Sequence, residues 1–315
     1  MKGLKKIALA TAIAAAPFAS HAGMKALDDT AMGNVTGQAG VTIELETKVS
    51  IGEFRYTDTD GYDTDTSGGS FVVSDVVLGG AGVHLDPTGQ VSQLLDELKI
   101  EIDVAADGDA IIHVGSLDPK MVANPAYVDD PTQPEEIQAV HPQTGEKLWE
   151  PIDWGVKVGS IGLQGSDRTV TDGSNSTTLI SGLSGYGGLA QLDIRVDTET
   201  DALNLDVAFN VVDMDFKVDF LGIGIKDMAI MGGEFFESNG NPQTLEAGYA
   251  IAKVDVYQGN GFGTGSTAED VLRIDIEDIT LDMSIGAIEM GGTSIGSIAI
   301  DDLQVSKTRL AVYGR

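Results

Sequence analysis

Long stretches of this chain alternate apolar and polar residues with a period of two. The alternation runs through residues 192–196, 203–209 and 274–285. A period of two sends successive side chains to opposite faces of a β-strand, so these stretches predict half-buried strands. The pattern slips by one residue at 211–213 and again at 277–278. Such slips are typical of a β-bulge or a strand bend, and the dominant pattern therefore predicts an all-β fold.

Two arrangements of the strands fit the pattern. The segment Ile285-Gly286-Ala287-Ile288 returns ten residues later as Ile295-Gly296-Ser297-Ile298. A β-solenoid with ten-residue rungs would give this echo, and so would two consecutive strands of a meander. A solenoid needs three or more clear repeats, and the chain offers two. We therefore expect a mainly antiparallel curved sheet or β-sandwich, with the β-solenoid as the alternative.

Helix signals are scarce. The spacing of Val91, Leu94, Leu95 and Leu98 predicts one short helix over 90–98.

Six of the nine prolines lie between residues 118 and 153. Proline cannot donate to a β-ladder, so 118–153 is expected to be one long surface loop, within a single elongated β-rich domain over 23–315.

The first 22 residues read as a secretory signal peptide. Three lysines (Lys2, Lys5 and Lys6) precede an apolar run over 7–16, and Ser20-His21-Ala22 supplies a cleavage site. This order predicts export to the periplasm or the cell surface of a Gram-negative bacterium. No later stretch offers about 18 uninterrupted apolar residues, so we expect no integral membrane protein after signal removal.

The chain is strongly acidic and contains no cysteine. Its net charge is −30, and removal of the signal, which holds three lysines and no acid, would bring it to −33. Phosphate binding needs clustered Lys and Arg, so a nucleic-acid ligand is not expected. The absence of cysteine excludes thiol catalysis and thiolate metal sites.

Two motif matches fail on context, and we expect no enzyme. Residues 292–296 match G-x-S-x-G, but a strand-like segment follows where the motif needs a helix, and the last histidine precedes it. Residues 185–190 match a dinucleotide fingerprint that should open a helix, and here a strand follows. The histidines His84, His113 and His141 have no second metal ligand at useful spacing, and no catalytic residue is predicted.

An acidic loop gives the one candidate metal site. Asp58, Asp60, Asp63 and Asp65 alternate with other residues, and calcium favours such oxygen-rich, flexible loops. The loop departs from the EF-hand pattern, which needs an acidic or amide group at Tyr62 and a glycine at Asp63. A plain acidic hairpin tip is the alternative, and no other cofactor is expected.

The segment after the signal carries a family resemblance. Residues 24–40 contain Leu27-Asp28-Asp29 and Val35-Thr36-Gly37-Gln38-Ala39-Gly40, and a strand-like stretch follows over 41–46. This segment resembles the start of pilus-assembly proteins of the Fil type from Gram-negative bacteria, which are exported and strand-rich. The resemblance implies an envelope or surface setting and a pilus connection, and it implies no catalytic residue.

These observations predict a non-enzymatic exported structural or assembly protein of the cell surface, associated with a pilus. Its expected partners are other envelope or pilus proteins, or further copies of itself, because open strand edges accept another chain. The alternative is a periplasmic or surface binding module that holds a hydrophobic ligand on the apolar face of a curved sheet.

Overall fold

A computed structural model describes residues 40–58, 68–85, 91–123, 134, 136–140, 147, 149–165, 176–238, 244–262 and 265–314. The chain divides into two compact units, Met1–Ala39 and Gly40–Arg315. The first unit lies outside the described residues, and with it the predicted signal peptide and most of the segment that carries the family resemblance. The second unit is the β-rich part of the chain.

The described residues form fifteen strands, two one-turn α-helices, α1 (Gly82–Leu85) and α2 (Leu245–Gly248), and a 3-10 helix over Asp219–Leu221. The strands are β1 (Val41–Thr47), β2 (Val49–Thr57), β3 (Ser70–Gly79), β4 (Leu95–Val104), β5 (Ala110–Ser116), β6 (Met121–Ala123), β7 (Glu136–Gln138), β8 (Ile152–Gln164), β9 (Ser176–Asp197), β10 (Ala202–Phe209), β11 (Asp213–Val218), β12 (Ile223–Met231), β13 (Ala250–Gly259), β14 (Val271–Met290) and β15 (Thr293–Val312).

Thirteen of the strands form one sheet, and β6 and β7 form a separate two-stranded ribbon. Every ladder between the described strands is antiparallel. The all-β, mainly antiparallel prediction is confirmed. The rungs of a solenoid pair in parallel, so the described strands do not form the alternative fold.

The sheet consists of two halves joined by its longest strands. The upper half follows the order β1-β4-β5-β9-β10-β13-β14-β15, and the lower half follows β2-β3-β8-β9-β11-β12-β14-β15. Strands β9, β14 and β15 run through both halves, with 22, 20 and 20 residues respectively. At every other place in the strand order, one strand of the upper half and one strand of the lower half lie end to end.

One face of the sheet is apolar from edge to edge. The registers of the upper half align single rows of residues across eight strands, and neighbours within a row share a face. One such row is wholly apolar and consists of Ile43, Ile100, Val114, Leu192, Val207, Ala252, Ile279 and Val305. The adjacent row, on the opposite face, consists of Thr42, Glu101, His113, Asp193, Asp206, Lys253, Asp278 and Ser306.

Bulges keep these faces in phase along the long strands. The predicted slip at 277–278 is an irregularity in which β13 advances from Lys253 to Val254 while β14 advances from Asp278 to Ile276. The predicted slip at 211–213 is the break between β10 and β11, which both pair with β9. Positive φ angles mark further kinks at Asp75, Asp227, Asp302 and Lys307. Each kink lets the apolar residues of the next segment return to the same face.

The burial pattern shows that the sheet is a single layer along its central strands. Leu205 on the apolar face and Asp206 on the polar face of β10 are both half-buried. A covering second sheet, as in a β-sandwich, would bury the apolar side chain fully.

The two repeated Ile-Gly segments lie in the β14–β15 hairpin, where Ile285 pairs with Ile298. They are therefore parts of two consecutive strands of a meander.

A compact core lies where the two halves meet. It is built from Leu98, Val114 and Ile152, with Leu189 and Leu192 among the side chains packed against it. Glycine is required here because connecting segments cross the sheet closely. A Cβ at position 155 would lie 2.3 Å from the Gly80 carbonyl oxygen, and a Cβ at position 187 would lie 2.0 Å from the Asn210 carbonyl oxygen.

The predicted helix over 90–98 is wrong within the described residues 91–98. Strand β4 begins at Leu95, and residues 91–94 are not helical. The apolar spacing misled the prediction because Leu98 also belongs to the alternating series Leu98, Ile100, Ile102. Pairing of Leu98 with Leu45 and Ser116 decides in favour of a strand.

The described parts of the proline-rich stretch 118–153 fold back on themselves. The β6–β7 ribbon forms inside it, and isolated bridges join Pro119 to Trp149 and Val140 to Lys147. The Lys99 ammonium lies 5.0 Å from the centre of the Trp149 ring, so this aromatic residue rests against the sheet.

Asp282 on β14 gives a test of this architecture. Its side chain is 1% exposed and accepts hydrogen bonds from the backbone N–H groups of Phe236 at 3.0 Å and Asp302 at 2.9 Å. Asp282→Ala would leave two N–H groups without their acceptor, and we expect a loss of about 3 kcal/mol in the free energy of unfolding, measured by urea denaturation. Glu277→Ala, at an exposed position of the same strand, is the control. An equal loss in both variants would contradict the assigned role.

Candidate functional site

The predicted calcium loop lies almost wholly outside the described residues. Asp58 follows β2, and its backbone N–H donates to the Gly69 carbonyl at 2.9 Å. Asp60, Asp63 and Asp65 are not among the described residues, so the calcium site remains a prediction.

His84 connects helix α1 to two strands. Its Nδ1 lies 2.8 Å from the Ser184 hydroxyl on β9, and its Nε2 lies 3.0 Å from Oδ2 of Asp213 on β11. Its ring stacks on Tyr186 with 5.4 Å between the centroids. A serine-hydrolase triad uses the two nitrogens in the opposite order, with Nε2 facing the serine. We therefore interpret this group as a cross-link that holds α1 against the sheet.

Three carboxylates gather beside this cross-link. Asp213, Asp215 and Asp227 each offer an oxygen, and these atoms lie within 4.8 Å of one another. Lys226 Nζ already lies 2.6 Å from Asp215 Oδ2, and the Asp227 backbone N–H donates to Asp215 Oδ1 at 3.0 Å. Burial raises the pKa of Asp215, but the bonds from Lys226 and from the Asp227 N–H outweigh it and lower the pKa overall. The Lys226 ammonium thus balances part of the negative charge of this group, and Asp213 Oδ1 is buried without a hydrogen-bond partner.

A second acidic group surrounds Asp282. Glu237, Asp282 and Asp301 also place one oxygen each within 4.8 Å of one another. Both oxygens of Asp282 accept backbone N–H bonds, so this residue is explained by its structural role.

His113 belongs to the polar face of the upper half. Its Nδ1 lies 2.6 Å from Oδ1 of Asp193 on the neighbouring strand. His84 and His113 thus each contact an aspartate of the sheet, whereas His141 lies outside the described residues. Both rejected motifs are followed by strand and not by the helix that each motif requires, as expected: residues 185–190 and the residues after them lie in β9, and β15 runs on from Thr293.

The apolar face of the sheet is exposed over much of its area. Exposed side chains on it include Val104, Val196 and Leu310, which lie in one row, and Phe54 and Met290 in the lower half. A contiguous apolar surface of this kind marks a binding surface for a protein or a hydrophobic ligand. Sequence alternation predicts the apolar face but carries no signal for what covers it.

The two outermost positions of the sheet are long edges. Strands β1 and β2 follow one another along one edge, and β15 forms the other. Within the described sheet, β15 pairs only with β14, β1 only with β4, and β2 only with β3. Each edge therefore presents a row of outward backbone groups, which is a template for another strand.

One family model matches residues 1–106, about a third of the chain, and its description is "Family of unknown function (DUF6160)". Within the described residues, the matched part includes β1 to β3 and the whole of β4. No curated protein and no solved structure matches the chain. Among the described residues, no helix has the length and apolar character needed to cross a membrane.

Asp215 makes the stability of this region depend on pH. Since its folded pKa is lowered, it stabilises the fold above the unfolded aspartate pKa of about 3.9, and this contribution is lost as the pH falls through the folded value. We expect Asp215→Asn to lower the free energy of unfolding at pH 7 by about 1 kcal/mol. Its difference from the wild type should shrink as the pH is lowered below the unfolded aspartate pKa of about 3.9, as measured by urea denaturation.

The control for this comparison is Asp103→Asn, which removes the same charge at an exposed position of β4. If the gap between Asp215→Asn and the wild type were constant from pH 7 to pH 2.5, the ion pair with Lys226 would not be the source of the effect.

Proposed function

We propose that this chain is a non-enzymatic structural or assembly protein of the surface of a Gram-negative bacterium, exported by its first 22 residues and associated with a pilus. The observation that carries the proposal is the pair of long edges, β1–β2 and β15, which are unpaired on their outer sides within the described sheet. Addition of strands to an open edge is a general way of joining protein chains, because the backbone supplies the hydrogen bonds whatever the side chains are.

The chemistry of the described side chains supports a structural role. His84 bonds to the Ser184 hydroxyl and to Asp213 Oδ2, and Asp215 bonds to Lys226, whereas Asp213 Oδ1 is buried without a hydrogen-bond partner. Both oxygens of Asp282 accept hydrogen bonds from backbone N–H groups. These bonds hold segments of the sheet in place, which is the basis for proposing a structural role.

The pilus connection is supported by the segment over 24–46, which resembles Fil-type pilus-assembly proteins. The family model that matches residues 1–106 spans the same segment, and its description assigns no function. The net charge, −30 with the first 22 residues and −33 without them, makes copies repel one another until salt or divalent cations screen the charge.

A second candidate function is the binding of a hydrophobic ligand. The observation in its favour is the exposed apolar face, which extends over both halves of the sheet. An acyl chain or a similar ligand laid across this face would bury apolar surface, and each Å² of it would contribute about 25 cal/mol of favourable binding free energy. Here the apolar face, and not the edges, would be the functional surface.

Immunogold microscopy of intact cells and a blot of the sheared surface fraction test the structural role. We expect label along filaments and the protein in the sheared fraction, because a pilus-associated protein leaves the cell with the filament. A periplasmic control protein should stay with the cells. Label confined to the periplasm would contradict a surface role.

Two matched substitutions test the ligand-binding alternative. Val196→Asp changes the apolar face, and Ile111→Asp changes the opposite face of the paired strand, at positions that are 41% and 44% exposed. If the apolar face holds lipid, Val196→Asp should reduce lipid that co-purifies with the protein several-fold, whereas Ile111→Asp should not, as measured by mass spectrometry of organic extracts. Absence of lipid from the wild-type protein would exclude this alternative.

A further inference from the structure

Three neighbouring rows of residues make up the apolar face of the upper half. Beside the row from Ile43 to Val305 lie two further rows on the same face, because each is displaced from the next by two residues along the strands. One consists of Val41, Ile102, Ile112, Ile194, Leu205, Val254, Ile276 and Thr308. The other consists of Val104, Ala110, Val196, Leu203, Val256, Ile274 and Leu310. Thr308 is the single polar residue of the three rows, and none of them contains a charged residue.

The described connections cover the opposite face of the sheet. The ring of Trp149 lies over Lys99, which follows an apolar-face residue directly in sequence. The centre of the Phe262 ring lies 4.2 Å from the guanidinium carbon of Arg273. The connection after β12 donates a backbone N–H to Asp282. Polar residues such as Arg273 and Asp282 are thus buried on one face. Every side chain in the rows that begin at Val41 and Val104 is half-buried or exposed on the other.

The area of this uncovered surface is the area that a stable protein interface needs. The eight strand positions, spaced about 4.8 Å apart, span about 38 Å, and three rows spaced about 6.8 Å apart span about 20 Å. The product is about 800 Å², which is what each partner buries in a standard protein–protein interface. An acyl chain would cover one strip of this surface, whereas a second sheet of the same size would cover all of it.

The distribution of charge favours a second copy over a membrane. A net charge of −30 repels anionic lipid headgroups. Two copies that meet through their uncharged faces keep the carboxylates of the polar faces on the outside. Packed sheets lie about 10 Å apart and their outer side chains point away from the contact, so these carboxylates are separated by more than the Debye length of about 8 Å. The acidic composition therefore opposes this contact only weakly.

We propose that two copies of this chain pack through their apolar faces and form a β-sandwich. The same surface of each copy meets that of the other, so the contact is isologous and closes at a dimer. Both sheets have the same right-handed twist, which is the condition for two sheets to pack with their strands about 30° apart. Each copy supplies the second layer that the other lacks, and the contact leaves the β1–β2 and β15 edges of both copies as they are in one copy.

Two matched substitutions test the contact. Val196→Asp changes the apolar face, and Ile111→Asp changes the opposite face of the paired strand at nearly the same exposure. We expect the wild type and Ile111→Asp to sediment as dimers at low ionic strength, where repulsion between acidic copies is strongest. Val196→Asp should raise the dissociation constant of the dimer about a hundredfold or more, because each copy would bring an unpaired carboxylate into the apolar contact. Sedimentation velocity over a range of protein concentrations measures these constants.

Three results would overturn the proposal. They are a wild type that stays monomeric, Val196→Asp dimers as stable as those of the wild type, and an equal loss of dimers in Ile111→Asp. The urea midpoint of each variant shows whether it is folded. If Val196→Asp does not fold, cysteine variants at the same two positions decide the question, because they introduce no charge.

Cysteine labelling locates the contact directly, since the chain has no native cysteine. Val196→Cys should react with a water-soluble maleimide several-fold more slowly at concentrations where the protein is dimeric than after dilution to the monomer. Ile111→Cys, on the opposite face, should react at the same rate in both conditions. Equal behaviour of the two thiols in a dimeric protein would place the contact elsewhere and contradict the proposal.

A hydrophobic ligand would compete with the second copy for this face. A wild type that purifies as a monomer with lipid bound would overturn the contact and favour the ligand-binding function. The location of the protein is measured separately. Periplasmic dimers would retain the contact and reject the surface role, and monomers along filaments would retain the surface role and reject the contact.

Discussion

Backbone hydrogen bonding along β9 and β14 is the interaction on which the rest of this sheet depends. Each of these strands pairs along its length with shorter strands on one side and with further strands on the other. The central strands are half-buried on both faces, so the stability comes from ladders and from cross-strand pairs of about 0.2–1 kcal/mol each. The junction core around Leu98, Val114 and Ile152 then fixes the two halves to each other.

A 20-residue strand keeps one apolar face only if its twist and register are corrected along the way. In β15 one correction is the kink at Asp302, and its shorter neighbours in the sheet are kinked in the same way at Asp75 of β3 and Asp227 of β12, all with positive φ angles. Aspartate tolerates this conformation better than most residues because its short side chain can bond locally. Part of the acidic composition is therefore a requirement of the long sheet, and the apolar rows of both halves follow from it.

The sequence predicts the strands and the slips well because both are local patterns, as at 203–209 and 277–278. Its failure at 91–98 is also local, since Leu98 fits a helical and a strand period equally. The contacts of His84 with Ser184 and Asp213 could not be predicted, because 100 and 129 residues separate the partners. The chain also contains 49 acidic residues, and nothing in the sequence shows which of them contacts His84. The single layer was equally hidden, since alternation shows which face is apolar and not what covers it.

The unpaired edges of the described sheet favour association of copies, and the net charge of the molecule opposes it. Long open edges favour addition of strands, whereas a net charge of −30 keeps copies apart until ions screen it. The kinks at Asp302 and Lys307 further restrict the register in which a strand can dock on β15. A strand that docks on β15 must therefore match these kinks.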